Sequence, residues 1–376
     1  MSTHLDALRR VVDEVVVPTA AEVDREGTFP EAAVTALGDA GLLGLTTAAE
    51  MGGGGKGLRA ATEVVEGLAY HCGSTAMVVL MHYAALPVIE GYGPAHVRKA
   101  VAAGRHLTTL ALSEAGSRSH FWAPLGTATE EDGHVRLDAH KSWVTAATHA
   151  HSYVWSSKAM AADGPMTLWL VPSDAEGLSR PDPFDGLGLR GNASMPVHAS
   201  GVRLPVDAML GDDGSGLDIG LALVLPPFLV MSAGFSLGIM EAVTAETGAH
   251  LSSTRLTHLD QTLVEQPILR HGYASMRVET DRTRAFLLDT LAAVEGGRPD
   301  AMLRVLEVKA AAAESAVEVT DQAMKLCGGA AFRKELGIER RFRDARAARV
   351  MAPTTDALLD FVGRALSGLP LVEASV

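Results

Sequence analysis

Apolar side chains recur at helical spacing through the N-terminal part of the chain. Near its start they fall every three or four residues, at Leu5, Leu8, Val11, Val12, Val15 and Val16. This spacing puts them on one face of an α-helix. Segment FPEAAVTALGDAGLLGL, a glycine-rich loop at residues 52–55 and a long apolar stretch over 64–88 follow. The pattern predicts a helical domain over residues 1–105.

Over residues 106–212 the pattern changes to short segments that alternate or are rich in β-branched residues. They are HVRLDAHKSWV, SYVWSSKAM, MTLWLV and MPVHASGVRLP, and Gly, Asp or Pro separates them. Such short segments between turn residues are typical of strands. All four tryptophans of the chain fall in this region. The pattern predicts a small antiparallel β domain.

Residues 213–376 return to long segments rich in Ala and Leu. Segment DAMLRVLEVKAAAAESAVEVTDQAMKL is amphipathic, and Gly328 and Gly329 end it. Thr354 or Thr355 is suited to cap the last helix, TTDALLDFVGRAL. Helices of this kind predict a four-helix bundle. The fold class is therefore mostly α with a central β domain.

One apolar segment is long enough to span a membrane. Residues 219–240 are uncharged, and about 20 such residues suffice for a spanning helix. However, Pro226 and Pro227 interrupt the segment, and no basic flank adjoins it. We therefore expect a buried helix at the centre of a bundle, and no membrane association.

Charge and cysteine content narrow the functional classes. The formal net charge is −13, which disfavours nucleic acid and anionic membranes as partners. Cys72 and Cys327 form no CxxC pair, as expected in a reducing compartment. The first residues lack the pattern of a signal peptide. Together these features predict a cytoplasmic protein.

Three motif-like features do not predict sites. GLGLRG at 186–191 matches GxGxxG, but a strand-like segment follows it where a dinucleotide site needs a helix. GGGGKG at 52–57 lacks the Ser or Thr that follows the Lys of a phosphate loop. His149 and His151 share one face of a strand without a third metal ligand nearby. We expect no metal site.

Several other motifs occur in the order that is typical of one family. They are LALSEAGSRSH (110–120), KSWVT (141–145), KLCGGAAF (325–332) and GIERRFRDARAARV (337–350). In the first, Ser113, Glu114, Gly116 and Ser119 match the family's flavin segment. The chain resembles the acyl-CoA dehydrogenase family over nearly its whole length. The resemblance implies FAD between the β domain and the bundle.

The resemblance also implies which residues bind FAD. Trp143 would lie against the flavin ring, and Thr145 would reach its N5 atom. Arg255 and Gln266 would contact the FAD of a neighbouring subunit, so we expect a homo-oligomer, either a dimer or a tetramer. The remaining implied contacts come from Leu110, Leu112, Ser113, Arg118, Ser119, Thr257, His258, Lys325, Gly328, Gly329, Thr354 and Asp356.

The usual catalytic base is missing. In most family members a Glu follows the arginine-rich helix, whereas this chain has Ala352 in the segment MAPT. The alternative base position on the central bundle helix falls at about Phe228. We expect the Arg and Asp residues of RFRDAR to fix the turn that carries Ala352. Candidate replacement bases are His82, His120 and Asp356.

Three functions remain open at this point. In the first, the enzyme dehydrogenates an acyl thioester or a related small substrate, and it passes electrons to an electron-transfer partner. In the second, it is a flavin monooxygenase that works with a flavin reductase. In the third, it is a non-catalytic paralogue that binds flavin. The retained flavin contacts favour an oxidoreductase.

Overall fold

The computed structural model describes residues 3–117, 120–181 and 184–372. Thr3 caps the first helix: its side chain accepts a hydrogen bond from the Asp6 amide, and the Asp6 carboxylate accepts one from the Thr3 amide. A π-helical turn joins the first two helices. The N-terminal helices are α1 (His4–Val11), α2 (Val17–Glu26), α3 (Glu31–Asp39), α4 (Leu58–His71), α5 (Gly73–Tyr92) and α6 (Ala95–Ala102).

The described part of the middle region contains seven strands in two sheets. They are β1 (Thr108–Ala111), β2 (Thr127–Glu131), β3 (His134–Val144), β4 (Ser152–Ser157), β5 (Thr167–Pro172), β6 (Leu178–Ser179) and β7 (Met195–Pro205). One sheet has the order β1-β4-β5 and the other the order β2-β3-β7-β6. The antiparallel prediction is wrong for one pair, because β1 runs parallel to β4. A parallel pair needs a long crossover connection, and here that connection includes β2 and β3.

Strand β4 connects the β domain to the helices. Tyr153 and Trp155 pack into the core between the two sheets, whereas Val154 packs into the helical core. Successive side chains of a strand point to opposite faces, so this strand is buried on both sides. The β domain is therefore held firmly against the helical core.

The C-terminal region is helical, with a small hairpin. Its helices are α7 (Gly216–Ile219), α8 (Leu225–Ser253), α9 (Pro267–Glu295), α10 (Ala301–Cys327), α11 (Ile338–Val350) and α12 (Thr355–Leu366). Strands β8 (Arg255–Leu256) and β9 (Gln261–Thr262) form the hairpin between α8 and α9. Helix α10 packs against α8, α9, α11 and α12. The bundle is thus centred on α8 and α10.

The apolar segment at 219–240 is not one uninterrupted α-helix. A π-helical turn separates α7 from α8, and Pro226 and Pro227 lie in the first turn of α8, where proline is tolerated. By length and composition alone, α5 and the stretch Gly216–Ser253 are both long and apolar enough to cross a membrane. In each, 83% of the apolar window is buried inside the protein, as for a core helix.

The RFRDAR segment lies on α11 and joins the three regions of the chain. Arg343 forms an ion pair with Asp24 on α2, and Arg341 forms one with Glu246 on α8. Asp344 accepts a hydrogen bond from the Leu189 amide of the β domain at 2.6 Å. None of these three partners lies in the turn that follows α11, so the expectation that RFRDAR fixes that turn stays a prediction.

Candidate active site

A cavity of about 1850 Å³ lies where the three regions meet. Its walls come from α5, the segment after β1, the end of β3, the loop before β7, the start of α8 and the α11–α12 turn. Ligand pockets for one small molecule are typically about 300–1,000 Å³. This cavity is therefore large enough for a cofactor and a substrate together.

The end of β1 and the segment after it form one wall, and the buried side chain of Glu114 holds this segment in place. Leu110, Leu112 and Ser113 line the cavity, and Glu114 beside them is buried. The Glu114 carboxylate accepts hydrogen bonds from the amides of Leu125 and Gly126, at 2.7 and 2.8 Å. These bonds fix the segment that the resemblance identified.

A buried lysine completes the anchor. The Lys141 Nζ lies 2.6 Å from Glu114 Oε1, and it also donates to the backbone and side-chain oxygens of Ser156. Burial lowers the pKa of Lys141 to about 8, and the adjacent Glu114 carboxylate opposes that shift. Glu114 is therefore a structural partner of Lys141 rather than a group that faces the cavity freely.

His120 lines the cavity with a defined tautomer. Its Nδ1 lies 3.0 Å from the Ser117 carbonyl oxygen, and a carbonyl only accepts hydrogen bonds. In the neutral ring Nδ1 thus carries the proton, and Nε2 has a free lone pair. The predicted contacts Arg118 and Ser119 lie outside the described residues.

Trp143 and Thr145 are both at the cavity, at the end of β3 and just beyond it. The Trp143 side chain is 59% exposed, and its ring packs against Phe184 with centroids 4.0 Å apart and the ring planes tilted by 30°. Thr145 Oγ1 lies 3.2 Å from Ser194 Oγ. Trp143 is therefore not a core residue, and its indole offers a flat surface at the cavity.

The turn between α11 and α12 forms the opposite wall. Ala352, Pro353, Thr354, Thr355 and Asp356 all line the cavity, and the Ala352–Pro353 peptide bond is cis. Thr354 caps α12, and its Oγ1 accepts a hydrogen bond from the Ala357 amide. Thr355 Oγ1 is buried without a partner among the described residues.

Neither usual position of the base offers a carboxylate to the cavity. Ala352 and Phe228 both lie in its wall, as the resemblance implied for the two positions. A methyl group and a benzyl ring cannot accept a proton. Asp356 lies in the first turn of α12, where the helix N-terminus stabilises a negative charge.

Aromatic and sulfur-containing side chains form a large part of the apolar lining of the cavity. The Trp122 ring contacts His120, Phe121 and Phe361, with centroids 4.9, 5.2 and 5.2 Å away. Met77 and Met81, one turn apart on α5, line the same cavity. Sequence reasoning did not identify Met77, Met81 or Phe361, although the i, i+4 spacing of the two methionines gives them a common face.

The structure does not support His82 as a base. Its side chain is fully buried, its Nε2 lies 3.0 Å from the Leu43 carbonyl oxygen, and its Nδ1 accepts from the Thr108 amide. Both ring nitrogens are thus used by the backbone, and His82 does not line the cavity. Burial lowers its pKa to about 4.

The remaining predicted FAD residues lie outside this cavity. Arg255 pairs with Asp260 within the β8–β9 hairpin, and Gln266 donates to Gln261. Thr257, His258, Lys325, Gly328 and Gly329 are all exposed. Their roles stay predictions, because the resemblance assigns Arg255 and Gln266 to the site of a neighbouring subunit.

Three protein-family models match consecutive parts of the chain. They describe the acyl-CoA dehydrogenase N-terminal domain at residues 3–104, its middle domain at 109–202 and its C-terminal domain at 228–367. The chain belongs to the acyl-CoA dehydrogenase superfamily. Its members are flavoprotein oxidoreductases that depend on FAD.

Individual acyl-CoA dehydrogenases are similar over almost the full length. The chain is 26% identical to the human mitochondrial short-chain specific acyl-CoA dehydrogenase, over 94% of this chain and 86% of that protein. The butyryl-CoA dehydrogenase from Megasphaera elsdenii has the same fold, with a TM-score of 0.90, 20% identity and coverage of 96% and 97%. A prolyl acyl carrier protein oxidase also shares it, with a TM-score of 0.88, 17% identity and coverage of 97% and 99%.

The cavity residues fit FAD. An isoalloxazine ring needs a flat apolar surface, which Trp143 offers, and polar partners, which Ser113 and Thr145 offer. The buried Thr355 Oγ1 has no partner among the described residues, and a ligand could supply one. The N-terminus of α12 at the cavity favours an anionic group such as a phosphate. The described cationic side chains of the wall, Arg190 and Arg349, are both paired with carboxylates.

Proposed function

We propose that this acyl-CoA dehydrogenase homologue is an FAD-dependent oxidoreductase that removes hydrogen from an acyl thioester or a related small substrate, with His120 as the proton acceptor. Bound FAD would supply the hydride acceptor. The proposal rests chiefly on one observation: His120 lines the cavity with Nε2 unprotonated in its neutral form. An imidazole nitrogen with a free lone pair can accept a proton, as a general base must.

The surrounding residues would prepare the site for this chemistry. The bonds of Glu114 to Leu125 and Gly126 hold both ends of the loop that carries His120. The rings of Trp122 and Phe361 form an apolar wall, and such a wall excludes water from a reacting C–H group. Met77 and Met81 extend that wall and would pack against an apolar substrate chain.

A flavin monooxygenase is the second candidate. Ala352 and Phe228 occupy the two usual positions of the base at the cavity, and neither side chain can accept a proton. This absence favours the monooxygenase. A hydroxylation that uses reduced flavin and oxygen needs no base for an α-proton. Under this alternative His120 would serve as a polar contact for the substrate.

Spectroscopy of the purified protein distinguishes these functions. We expect a yellow protein with bound FAD, whose visible absorbance is bleached by a short-chain acyl-CoA under anaerobic conditions. Bound FAD that no acyl-CoA bleaches, together with oxygen consumption that requires a flavin reductase and gives a hydroxylated product, would favour the monooxygenase. A colourless protein that takes up no FAD would contradict both candidates.

Variants test the assignment of the base. We expect His120→Gln to slow anaerobic bleaching by roughly 10²- to 10⁴-fold, the usual contribution of a general base, while FAD content stays unchanged. His134→Gln, at an exposed position on β3, is the matched control. Ala352→Glu should restore the usual carboxylate and raise acyl-CoA oxidation. An unchanged rate in His120→Gln would exclude it as the base.

The identity of the partners is part of the same proposal. Family members form oligomers and pair with an electron-transferring flavoprotein, and we propose an electron-transfer partner of this kind for this chain under the dehydrogenase function. A flavin reductase would replace it under the monooxygenase function. The cytoplasmic location stays a prediction.

A further inference from the structure

A lysine is fully buried beside the α11–α12 turn. Lys309 lies on α10, and its side chain is 1% exposed. Among the described residues no carboxylate lies within ion-pair distance of its Nζ. Burying an ammonium group is costly unless hydrogen bonds compensate it. The position of this lysine therefore requires a reason.

Three carbonyl oxygens surround the Lys309 Nζ. They belong to Ala348, Met351 and Pro353, at 3.1, 3.0 and 2.8 Å. An ammonium group has three N–H donors, so each proton has one acceptor. The acceptors lie on the last turn of α11 and on both sides of Ala352. The lysine thus binds the turn through its backbone.

The end of α11 explains why such a donor is needed. The last carbonyls of a helix have no partner within the helix, and a glycine after the helix often lets the following amides satisfy them. Here Met351, Ala352 and Pro353 follow Val350, with no glycine, and Pro353 has no N–H. The side chain of Lys309 supplies from α10 the donors that the turn itself lacks.

The cost of burying Lys309 favours a role in positioning the turn over a role in stabilising the fold. Burial lowers the pKa of Lys309 to about 7, which reflects the cost of keeping the charge inside the protein. Replacing Lys309 by an apolar side chain of similar size would remove that cost but leave three carbonyl oxygens without a donor, so the two effects on stability oppose each other. A methionine at this position would fill the same space but could not hold the three carbonyl oxygens together.

We propose that Lys309 is a positioning residue of the active site, whose ammonium group fixes the Met351–Pro353 turn and thereby the cavity wall. The wall residues Ala352 and Pro353 and the start of α12 follow directly from this turn. The effect on FAD and on backbone order does not depend on the reaction. Only the effect on rate rests on the proposed function.

The test compares Lys309→Met with wild type and with Lys99→Met, an exposed control on α6. Hydrogen exchange is followed at the amides of Met351, Ala357 and Leu358, which donate to Ala347 and Thr354. In Lys309→Met we expect roughly tenfold faster exchange at these amides only, a Tm close to that of wild type, because relief of the buried charge and loss of the three hydrogen bonds oppose each other, and a lower FAD content. Anaerobic bleaching should be roughly 10- to 100-fold slower, because small misplacements of active-site groups cost about that much.

Two results would overturn the proposal. One is wild-type exchange at these amides in Lys309→Met; the other is faster exchange throughout the protein with a lower Tm, which shows a general core role. If Lys309→Met does not fold, Lys309→Gln, whose amide keeps two donors, is judged by the same exchange measurement. If wild type is not bleached by any acyl-CoA, the proposed function fails while the exchange and FAD results still decide the role of Lys309.

Discussion

His82 makes the stability of the protein sensitive to acid. Its ring is buried in the neutral form, and its pKa is about 4 in the folded protein against 6.5 for an unperturbed histidine. The folded state therefore binds fewer protons than the unfolded state between pH 4 and 6.5. The stability from neutral His82 is fully present above pH 6.5 and is lost as the pH falls through 4. This loss is about 3 kcal/mol.

We expect His82→Gln to flatten the fall of Tm between pH 6.5 and 4. A glutamine amide does not titrate, so one source of proton uptake on unfolding disappears. Thermal melts across this range, compared with His134→Gln at an exposed position, are the measurement. Parallel Tm curves for His82→Gln and wild type would show that His82 does not contribute this dependence.

The Glu114–Lys141 pair allows a second prediction at the level of residues. Both side chains are buried, so removing one partner leaves an uncompensated charge. We expect Lys141→Met to destabilise the protein by about 3–5 kcal/mol. The double variant Glu114→Gln with Lys141→Met should recover much of that loss, because the glutamine oxygen can still accept from the Leu125 and Gly126 amides. Denaturation midpoints of the three proteins provide the comparison.

Failure of the double variant to recover would indicate that Lys141 acts mainly through Ser156. The Lys141 Nζ donates to the Ser156 carbonyl and hydroxyl oxygens as well as to Glu114. Ser156→Ala alone, which removes only the hydroxyl, then shows how much this second contact contributes.

Sequence motifs identified part of the site because their residues are contiguous. Ser113, Trp143, Thr145, Thr354 and Asp356 were inferred from short motifs, and the structure brings all five to one cavity. A motif can be recognised from consecutive residues, whereas its place in the molecule depends on the whole fold. The roles of these residues in FAD binding stay predictions.

Other residues could not be assigned from the sequence. His82 was wrongly considered a base because its partners, Leu43 and Thr108, lie far from it in sequence. Met77 was missed for the opposite reason, since an apolar helical position looks the same whether it faces a core or a cavity.

At the level of elements, the N-cap and first turn of α12 both begin the helix and line the cavity. Thr354 has extended backbone angles, and its hydroxyl accepts from the Ala357 amide, as expected of an N-cap. We expect Thr354→Ala to cost about 1 kcal/mol and Thr354→Ser to cost almost nothing. The Ala variant should also lose FAD more readily, because the first turn of α12 lines the cavity. Thermal melts and the ratio of FAD to protein measure the two effects.

Equal Tm values for the Ala and Ser variants would show that packing of α12 against the core, and not the cap, fixes its start. Leu358 and Phe361 of this helix are buried and would carry that packing. A Thr354→Ala variant with normal Tm and reduced FAD would instead indicate that the hydroxyl contacts the cofactor.

The secondary structure was predictable where the chain follows one simple period. The alternation in the β3 segment predicted a strand, and burial alternates along its first seven residues, whereas the polar Lys141 is buried and the apolar Trp143 is exposed beyond them. The parallel pairing of β1 with β4 was not predictable, because strand periodicity carries no information about direction. The π-helical turn before α8 was also missed, since its apolar residues continue the helical pattern without a break.

At the level of the whole molecule, α11 connects the three regions whose residues line the cavity. Its ion pairs and hydrogen bonds reach α2, α8 and the loop that contains Leu189. Burial raises the pKa of Asp344 to about 6, so this carboxylate is held inside the protein at a cost. The resemblance suggested that RFRDAR fixes the adjacent turn, which stays a prediction. The contacts with Asp24, Glu246 and Leu189 could not be predicted, because these residues lie far from α11 in sequence.

The predicted contact of Arg255 with a neighbouring subunit can be tested by complementation. Trp143 lies at the cavity of its own chain, whereas Arg255 lies on a hairpin outside that cavity. We expect Trp143→Ala and Arg255→Ala each to bind FAD poorly as separate proteins. In a dimer with one chain of each kind, one site would combine an intact Trp143 with an intact Arg255 from the partner chain.

Random reassembly of equal amounts of the two variants gives about one half mixed dimers in a closed two-fold assembly. About one quarter of all sites should then regain FAD, measured by flavin absorbance after gel filtration. The control is the double variant, which carries both substitutions in one chain. When it is mixed with either single variant, the FAD content should not rise above that of the single variant alone. No recovery on mixing would place Arg255 at the site of its own chain, and normal FAD content in Arg255→Ala alone would remove it from the site altogether.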